Sequence, residues 1–282
     1  MLSRLPSPYR GPVVSHGETY YAHYGGLSIA EYVERHIRGS ASEMGRIRRT
    51  VELVPDDVTS VLDVGAGHGV FLEELRSLRG IAGLGIEITT GKVDYGRSRG
   101  LDMRLGDAQR LDFADRSFDA LVACEVLEHL PWGVYESALK EFARVARRWV
   151  IVTVPFDEQR RFVRCPYCGA RVNADYHFRS FSPAGLAGLL PGFALSRWTG
   201  LGEQRRSPLL SLGRRLTARW PALLVCPSCG YRAAGADATP ATDGSTGASA
   251  LRRVAAALPA VRHPLWLVGL FRREGEAIGA AA

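Results

Sequence analysis

The sequence predicts an α/β fold with a doubly wound, mostly parallel sheet of seven strands, and three observations carry that expectation. From about residue 55 to residue 156, apolar segments of strand length alternate with amphipathic helical segments. The first strand runs directly into a glycine-rich turn, VLDVGAGHG. A chain of 282 residues with 46% apolar composition can cover both faces of such a sheet.

The elements follow in order. Residues 1–17, rich in Pro and Gly, read as a mobile arm. Helical patterning then takes over to Leu53, with Tyr20, Tyr21 and Tyr24 followed by IAEYVERHI and MGRIRRTVELV, so that residues 1–54 form an arm and lid helices. TSVLDVGAGHGVFLEELRSL is strand, glycine turn and helix; GIAGLGIEI, LDMRLGDA and SFDALVACE are strands two to four. VYESALKEFARVA is a helix and RWVIVTVPF the fifth strand, closing a core over residues 55–156. In residues 157–282, Ser182-Pro183 opens a short helix as N-cap and first helical residue. FALSRWTGLG and HPLWLVGLFRRE are strands six and seven, separated by an insertion that includes the small-residue linker GADATPATDGSTGASA.

The net charge of +7 is uneven: residues 1–150 hold 19 basic and 21 acidic side chains, and residues 151–282 hold 17 Arg against 8 acids. The second half therefore suits an anionic partner, such as nucleic acid or a phosphorylated metabolite, or simply a solvated Arg-rich surface. No uninterrupted apolar stretch of about 18 residues occurs, and MLSRLPSPYR lacks the apolar block of a secretory signal. A cytoplasmic protein without a membrane partner is expected.

Four of the five cysteines form two turns, CPYCG (Cys165, Cys168) and CPSCG (Cys226, Cys229). In a reducing compartment two CxxC pairs point to a closed, structural tetrathiolate zinc site; separate redox-active pairs are the alternative. The 61 positions between Cys165 and Cys226 require the fold to bring the turns together.

At the ends of the first three strands stand Asp63 before Gly65, Ala66 and Gly67, then Glu87 with Ile88, then Asp107 with Ala108. A glycine turn permits close backbone approach, an acid after strand two suits two ribose hydroxyls, and an acid after strand three suits an adenine amino group. A nicotinamide-dinucleotide protein would more often show GxGxxG, whereas Val70 and Phe71 follow Gly69 here. The fourth strand ends at Cys124 and opens into CEVLEHLPW, where Glu125, Glu128 and His129 have the spacing of one helical face.

In the order VLDVGAGHG, GIE, GDA and FDALVACEVLEHL the sequence resembles the class I S-adenosylmethionine-dependent methyltransferases, over roughly residues 55–156 and more loosely through strands six and seven. The resemblance implies a Rossmann-like methyltransferase fold with strand order 3-2-1-4-5-7-6 and strand seven antiparallel. It implies that Asp63 orients the glycine loop, that Gly65, Ala66 and Gly67 pass under the methionine part, that Glu87 binds ribose and that Asp107 meets adenine. Ile88, Ala108 and Cys124 complete the expected cofactor site.

The ExxEH segment is similar to that of ubiquinone-pathway O-methyltransferases and of RNA 2′-O-methyltransferases, which bind a divalent cation there. In the RNA group a later His completes the set, and YHFRSFSP offers His177 in the corresponding place. Glu125, Glu128, His129 and His177 are thus candidate ligands of Mg²⁺, Mn²⁺ or a related ion, which would activate a hydroxyl for methyl transfer. Without a metal, His129 or His177 becomes the candidate general base, with Glu125 beside them. The function expected is O-methylation of a small hydroxylated metabolite such as a sugar or natural-product intermediate. The alternatives are an RNA 2′-O-methyltransferase and a non-enzymatic, zinc-dependent interaction protein.

Overall fold

The computed structural model describes residues 27–206, 226, 228–231 and 261–275. The arm at residues 1–17, Tyr20, Tyr21, Tyr24 and the linker at 235–250 lie outside the described residues.

Helix α1 (Ile29–Tyr32) starts at a capping box in which the Ser28 hydroxyl accepts from the Glu31 amide and the Glu31 carboxylate accepts from the Ser28 amide. It continues as a π-helical turn over Val33–Arg38 and is followed by α2 (Ala41–Glu52), capped by Ser40. Then come β1 (Val61–Val64), α3 (Val70–Arg79), β2 (Leu84–Glu87), α4 (Thr90–Ser98), β3 (Asp102–Leu105) and β4 (Phe118–Cys124). Helix α5 (Val134–Val145) leads into β5 (Ala146–Pro155). Beyond it lie the hairpin β6 (Phe162–Arg164) and β7 (Arg171–Asn173), helix α6 (Pro183–Leu186), β8 (Phe193–Leu201), the pair β9 (Gln204–Arg206) and β10 (Val261–His263), and β11 (Trp266–Arg273).

Seven of these strands form one sheet in the order β3-β2-β1-β4-β5-β11-β8, which is the expected 3-2-1-4-5-7-6 arrangement. The strands β3 to β5 run parallel, and β11 is antiparallel to both β5 and β8. Alternation along each strand feeds two cores. Leu121 and Ala123 of β4, with Val150, Val152 and Val154 of β5, pack under α5 and α6. Ala120 and Val122, with Ile151 and Val268, pack under α2, α3 and α4. Val61–Val64 is buried throughout, as a strand covered on both faces must be.

Three features differ from the sequence reading. The segment after β2, rich in Gly and charged residues, forms α4, because Val93 and Gly96 turn inward against Met103. The hairpin β6–β7 and the pair β9–β10 are too short to show a period in the sequence. Finally, CEVLEH is not an α-helix: the chain leaves β4, takes a left-handed conformation at Glu125 (φ 56°) and makes one 3₁₀ turn over Leu127–His129.

Candidate functional site

Because the strands from β3 to β5 are parallel, the residues that follow β1, β2, β3 and β4 all emerge at one edge of the sheet. The loop after β1 folds back on β2, with the amides of Gly65 and Ala66 donating to the Ile86 carbonyl at 2.8 and 3.0 Å. Gly65 has φ 74°, and a Cβ there would lie 2.4 Å from Cγ2 of Val126, so both conformation and space demand glycine. The Gly67 amide donates to Oε2 of Glu87 and the Thr89 amide to Oε1, each at 2.9 Å.

A cavity of about 140 Å³ opens beside this loop, walled by Arg46, Asp63, Gly65, Gly67, His68 and Cys124 among others. Asp63, Gly65, Ala66, Gly67 and Cys124 therefore share the wall of one cavity. Glu87, Ile88, Asp107 and Ala108 do not line this cavity. Glu87 is buried behind the loop with its oxygens on backbone amides, and Asp107 accepts from the amide and side chain of Gln109 at 3.0 and 2.7 Å.

Burial and the neighbouring Glu87 raise the Asp63 carboxyl to about 8, with Arg46 pulling the other way. Burial pushes the Cys124 thiol up to about 12, which leaves it a neutral wall residue rather than a nucleophile. Burial also lowers the His68 imidazole to about 3.

Sequence reasoning missed Arg46. It is 9% exposed, donates to Glu43 Oε2 at 2.8 Å and to Thr153 Oγ1 at 3.4 Å, and lies over the Trp266 ring at 5.4 Å. Burial opposes its charge, but Glu125, Cys124 and Glu43 outweigh that and raise its pKa. The only sequence signal is an arginine amid the apolar face of α2, one turn before the buried Thr50, whose hydroxyl donates to the Arg46 carbonyl.

The turn after β4 places the ExxEH residues differently from a helix. Glu125 is drawn away by the Trp266 indole, which donates to its Oε2 at 2.9 Å, while its amide donates to the Thr153 carbonyl. Of the four expected ligands, Glu128, His129 and His177 come within 4.8 Å of one another by one potential ligand atom each, and Glu125 is not in that group. The left-handed backbone at Glu125 is the reason, since it breaks the helical spacing on which the shared face depended.

His177 is delivered by backbone pairing. The Phe178 amide donates to the Glu128 carbonyl at 2.7 Å, and Arg179 donates to the carbonyls of Leu127 and Leu130 while its guanidinium lies 3.7 Å over the Tyr135 ring. The His129 and His177 rings meet edge to face at 4.6 Å. Glu128 is fully buried, and neither of its carboxylate oxygens has a hydrogen-bond partner among the described residues. Burial, then Glu125, raises its carboxyl well above the usual range. Burial, then the neighbouring His177, lowers His129 to about 3. Two imidazoles and a carboxyl group without a hydrogen-bond partner among the described residues form a donor set suited to a divalent transition ion.

The cysteine turns also meet, although their sequence positions are far apart. Cys165 Sγ lies 3.7 Å from Cys229 Sγ and Cys168 Sγ 3.7 Å from Cys226 Sγ. Four sulfurs at about 2.3 Å from one ion would stand about 3.8 Å apart, so this spacing fits a tetrahedral shell and not a pair of disulfides. The turns share one hydrogen-bond pattern: Gly169 to the Cys165 carbonyl and Gly230 to that of Cys226, at 2.9 and 2.8 Å. Burial raises the Cys165 thiol, but the backbone amides of Cys168 and Tyr167 bring it down to about 7. Cys165 and Cys226 form a small separate core with Val163, Val172, Ala174 and Tyr176.

Residues 62–152 match the protein family described as a methyltransferase domain. A demethylmenaquinone methyltransferase of Corynebacterium urealyticum is 35% identical over 102 residues, 36% of this chain and 42% of the relative. A fatty-acid O-methyltransferase of Mycolicibacterium smegmatis is 37% identical over 92 residues, 31% of this chain and 33% of the relative. The matched stretch thus spans less than half the length of these curated relatives. Two solved structures superpose with a TM-score of 0.53. One is a chain from a Haloferax volcanii complex between the Trm112 methyltransferase activator and a methyltransferase, 16% identical, covering 91% of this chain and 96% of the other. The second is a SAM-dependent methyltransferase from Archaeoglobus fulgidus, 15% identical, covering 87% and 100%. The stretch from Leu62 to Val152 therefore matches the methyltransferase-domain family, and the seven-stranded sheet built around it has the methyltransferase fold.

Proposed function

We propose that this protein is an S-adenosylmethionine-dependent methyltransferase that methylates a hydroxyl of a small acceptor with the help of a divalent ion. The observation that carries the reading is Glu128: a fully buried carboxylate without a hydrogen-bond partner among the described residues, beside His129 and His177, one turn beyond the Cys124 wall of the cavity. A buried carboxyl left without a hydrogen bond is costly in either protonation state, and a cation that displaced its proton would compensate it.

Asp63, Gly65, Ala66, Gly67 and Cys124, which wall the cavity, are assigned to the cofactor, with Ile88, Asp107 and Ala108 following the adjoining strands at the same edge of the sheet and Glu87 bracing the glycine loop through the Gly67 amide. The fit rests on chemistry: the glycine loop leaves space over Gly67, Asp63 offers an acid to a cationic ligand, and Arg46 offers a cation to a carboxylate. When bound, S-adenosylmethionine supplies a methyl group made electrophilic by its sulfonium. Glu128, His129 and His177 are assigned to Mn²⁺, Mg²⁺ or a related ion, which would supply Lewis acidity towards the acceptor hydroxyl. Burial keeps His129 neutral and so able to donate a lone pair, and keeps bulk water from the Glu128 carboxylate. Cys165, Cys168, Cys226 and Cys229 are assigned to a structural Zn²⁺ whose four sulfurs leave no open position for catalysis.

Among the described residues no helix is long and apolar enough to cross a membrane. The names of the matched relatives, which include methyltransferases of demethylmenaquinone and of fatty acids, support a small-molecule acceptor over RNA.

The test is calorimetric titration of S-adenosylmethionine into the zinc-replete chain, followed by a methyl-transfer assay on a panel of hydroxylated metabolites with chelator and then Mn²⁺ or Mg²⁺ added back. Cofactor binding and metal-restored turnover are expected. Absence of binding removes the enzyme reading; turnover indifferent to chelator removes the metal; turnover of RNA alone moves the acceptor to nucleic acid.

A further inference from the structure

The region just beyond β5 holds a carboxylate that nothing in the sequence pattern singles out. Glu158 Oε2 lies 2.5 Å from His177 Nδ1, with the two side chains 21% and 14% exposed. The loop carrying Glu158 is anchored independently of that contact. The Asp157 amide donates to the Phe181 carbonyl at 2.7 Å, and Arg206 donates to the carbonyls of Asp157 and Phe156 at 2.5 and 2.6 Å. The His177 backbone is anchored too, with its amide on Asn173 Oδ1 at 2.9 Å and the next amide on the Glu128 carbonyl. Both ends are therefore held through their main-chain groups, and what the Glu158 contact adds is the orientation of one ring.

We infer that Glu158 is a positioning residue: it accepts a hydrogen bond from Nδ1–H of His177, fixes that tautomer, and so turns the Nε2 lone pair towards Glu128 and His129 to receive a divalent cation. A carboxylate oxygen accepts and a ring N–H donates, so a bond in this sense puts a proton on Nδ1 and leaves Nε2 to carry the lone pair. A carboxylate behind a ligating imidazole holds the ring in place and makes it a stronger donor, and losing such a partner costs metal affinity. The inference rests on the assignment of Glu128, His129 and His177 as one site, and it deepens it by naming the group that selects the reactive nitrogen.

The ring tautomer can be read without metal, cofactor or acceptor. In long-range ¹H–¹⁵N spectra of the metal-free full chain at about pH 8, above the ordinary imidazole range, His177 should show a protonated Nδ1 and an unprotonated Nε2. In Glu158→Ala the Nε2–H form should appear. Glu158→Gln, which keeps an acceptor in place and little disturbs packing, should retain the Nδ1–H form. An Nε2–H or doubly protonated ring in the unsubstituted protein, or an unchanged ring in Glu158→Ala, overturns the inference.

Titration with Co²⁺ alone, followed by visible absorption, gives the functional arm. Glu158→Ala should bind roughly 10-fold to 100-fold more weakly, with Glu158→Gln between, and equal affinity in all three overturns the metal-positioning role. Calorimetry with S-adenosylmethionine keeps the two readings apart. Failure of cofactor binding would remove the methyltransferase reading and leave the tautomer and Co²⁺ results standing on their own.

Discussion

The indole N–H of Trp266 donates to Oε2 of Glu125 at 2.9 Å, across 141 positions of sequence. That bond joins the first residue of the antiparallel strand β11 to the left-handed corner after β4, and it occupies one of the two carboxylate oxygens of Glu125. Trp266→Phe keeps the ring beneath Arg46 and removes only the donor. With Glu125 Oε1 already lacking a partner among the described residues, the change leaves a buried carboxylate bare and should cost roughly 1–3 kcal/mol. Urea unfolding measures it, and an unchanged midpoint would show that the bond adds nothing.

Glu128→Gln should separate stability from function. The substitution replaces a buried ionisable carboxyl by an uncharged amide of the same shape, so the metal-free variant should melt at or above the temperature of the unsubstituted protein. The gain in melting temperature on adding Mn²⁺ or Co²⁺ should disappear, together with metal-dependent turnover. Thermal melts with and without metal test both halves, and a variant that is still stabilised by Mn²⁺ would refute the ligand assignment.

Asp63 should leave a pH signature. Its carboxyl is raised to about 8 in the folded chain, against about 3.9 when unfolded. A raised value means that the native state holds the proton more tightly, so this contribution to stability is complete below about pH 4 and is lost as pH rises towards 8. Asp63→Asn cannot ionise there. The unsubstituted protein should lose stability relative to the variant over that window, by at most about 1.4 kcal/mol per pH unit. Parallel stability curves from pH 5 to pH 8 would contradict the assignment.

Asp119 carries the opposite sign and lies at the other edge of the sheet. It accepts from the Thr59 amide and hydroxyl at 3.0 and 2.8 Å and from the Ser60 amide at 3.2 Å, and it pairs with Arg147 and Arg148 at 3.1 Å. Burial raises its carboxyl, but the Thr59 and Arg148 hydrogen bonds win and hold it well below the usual range. Its stabilisation is therefore present above about pH 4 and lost as pH falls further. Asp119→Ala should cost roughly 2–4 kcal/mol at pH 7, and the gap should narrow in acid. Cofactor affinity of the folded variant should be unchanged, because the candidate site is at the opposite strand ends.

Cys165→Ser should abolish stoichiometric zinc and loosen the small core that Cys165 and Cys226 share with Val163, Val172 and Tyr176. Metal analysis and limited proteolysis within residues 160–178 report the two effects. Full zinc content in the variant would mean that the two turns do not share an ion.

Much of the sheet was legible in the sequence because its signals are local. VLDV, FDALVAC and RWVIVTVP are apolar runs bounded by turn residues, Gly65 sits where a left-handed turn needs it, and Ser182-Pro183 marks a helix start that the structure reproduces, with the Ser182 hydroxyl accepting from the Gly185 amide at 3.2 Å. Helix α4 was missed because its packing surface is only Val93 and Gly96, too small to imprint a period on TGKVDYGRS. Arg46 and Glu158 were missed because a charged residue shows its burial only when its partners are known.

By itself, the sequence determined the alternation of strands and helices, the glycine turn after β1, and the residue types brought to the strand ends, since each follows from side-chain periodicity and backbone freedom over a few positions. Only the tertiary structure decided which of those residues meet. A left-handed residue at Glu125 meets a tryptophan 141 positions later through a hydrogen bond to its carboxylate. Backbone pairing of Phe178 with Glu128 brought a histidine in, and two cysteine turns closed on each other. Convergence of that kind depends on long-range hydrogen bonds and burial, and no local pattern records them.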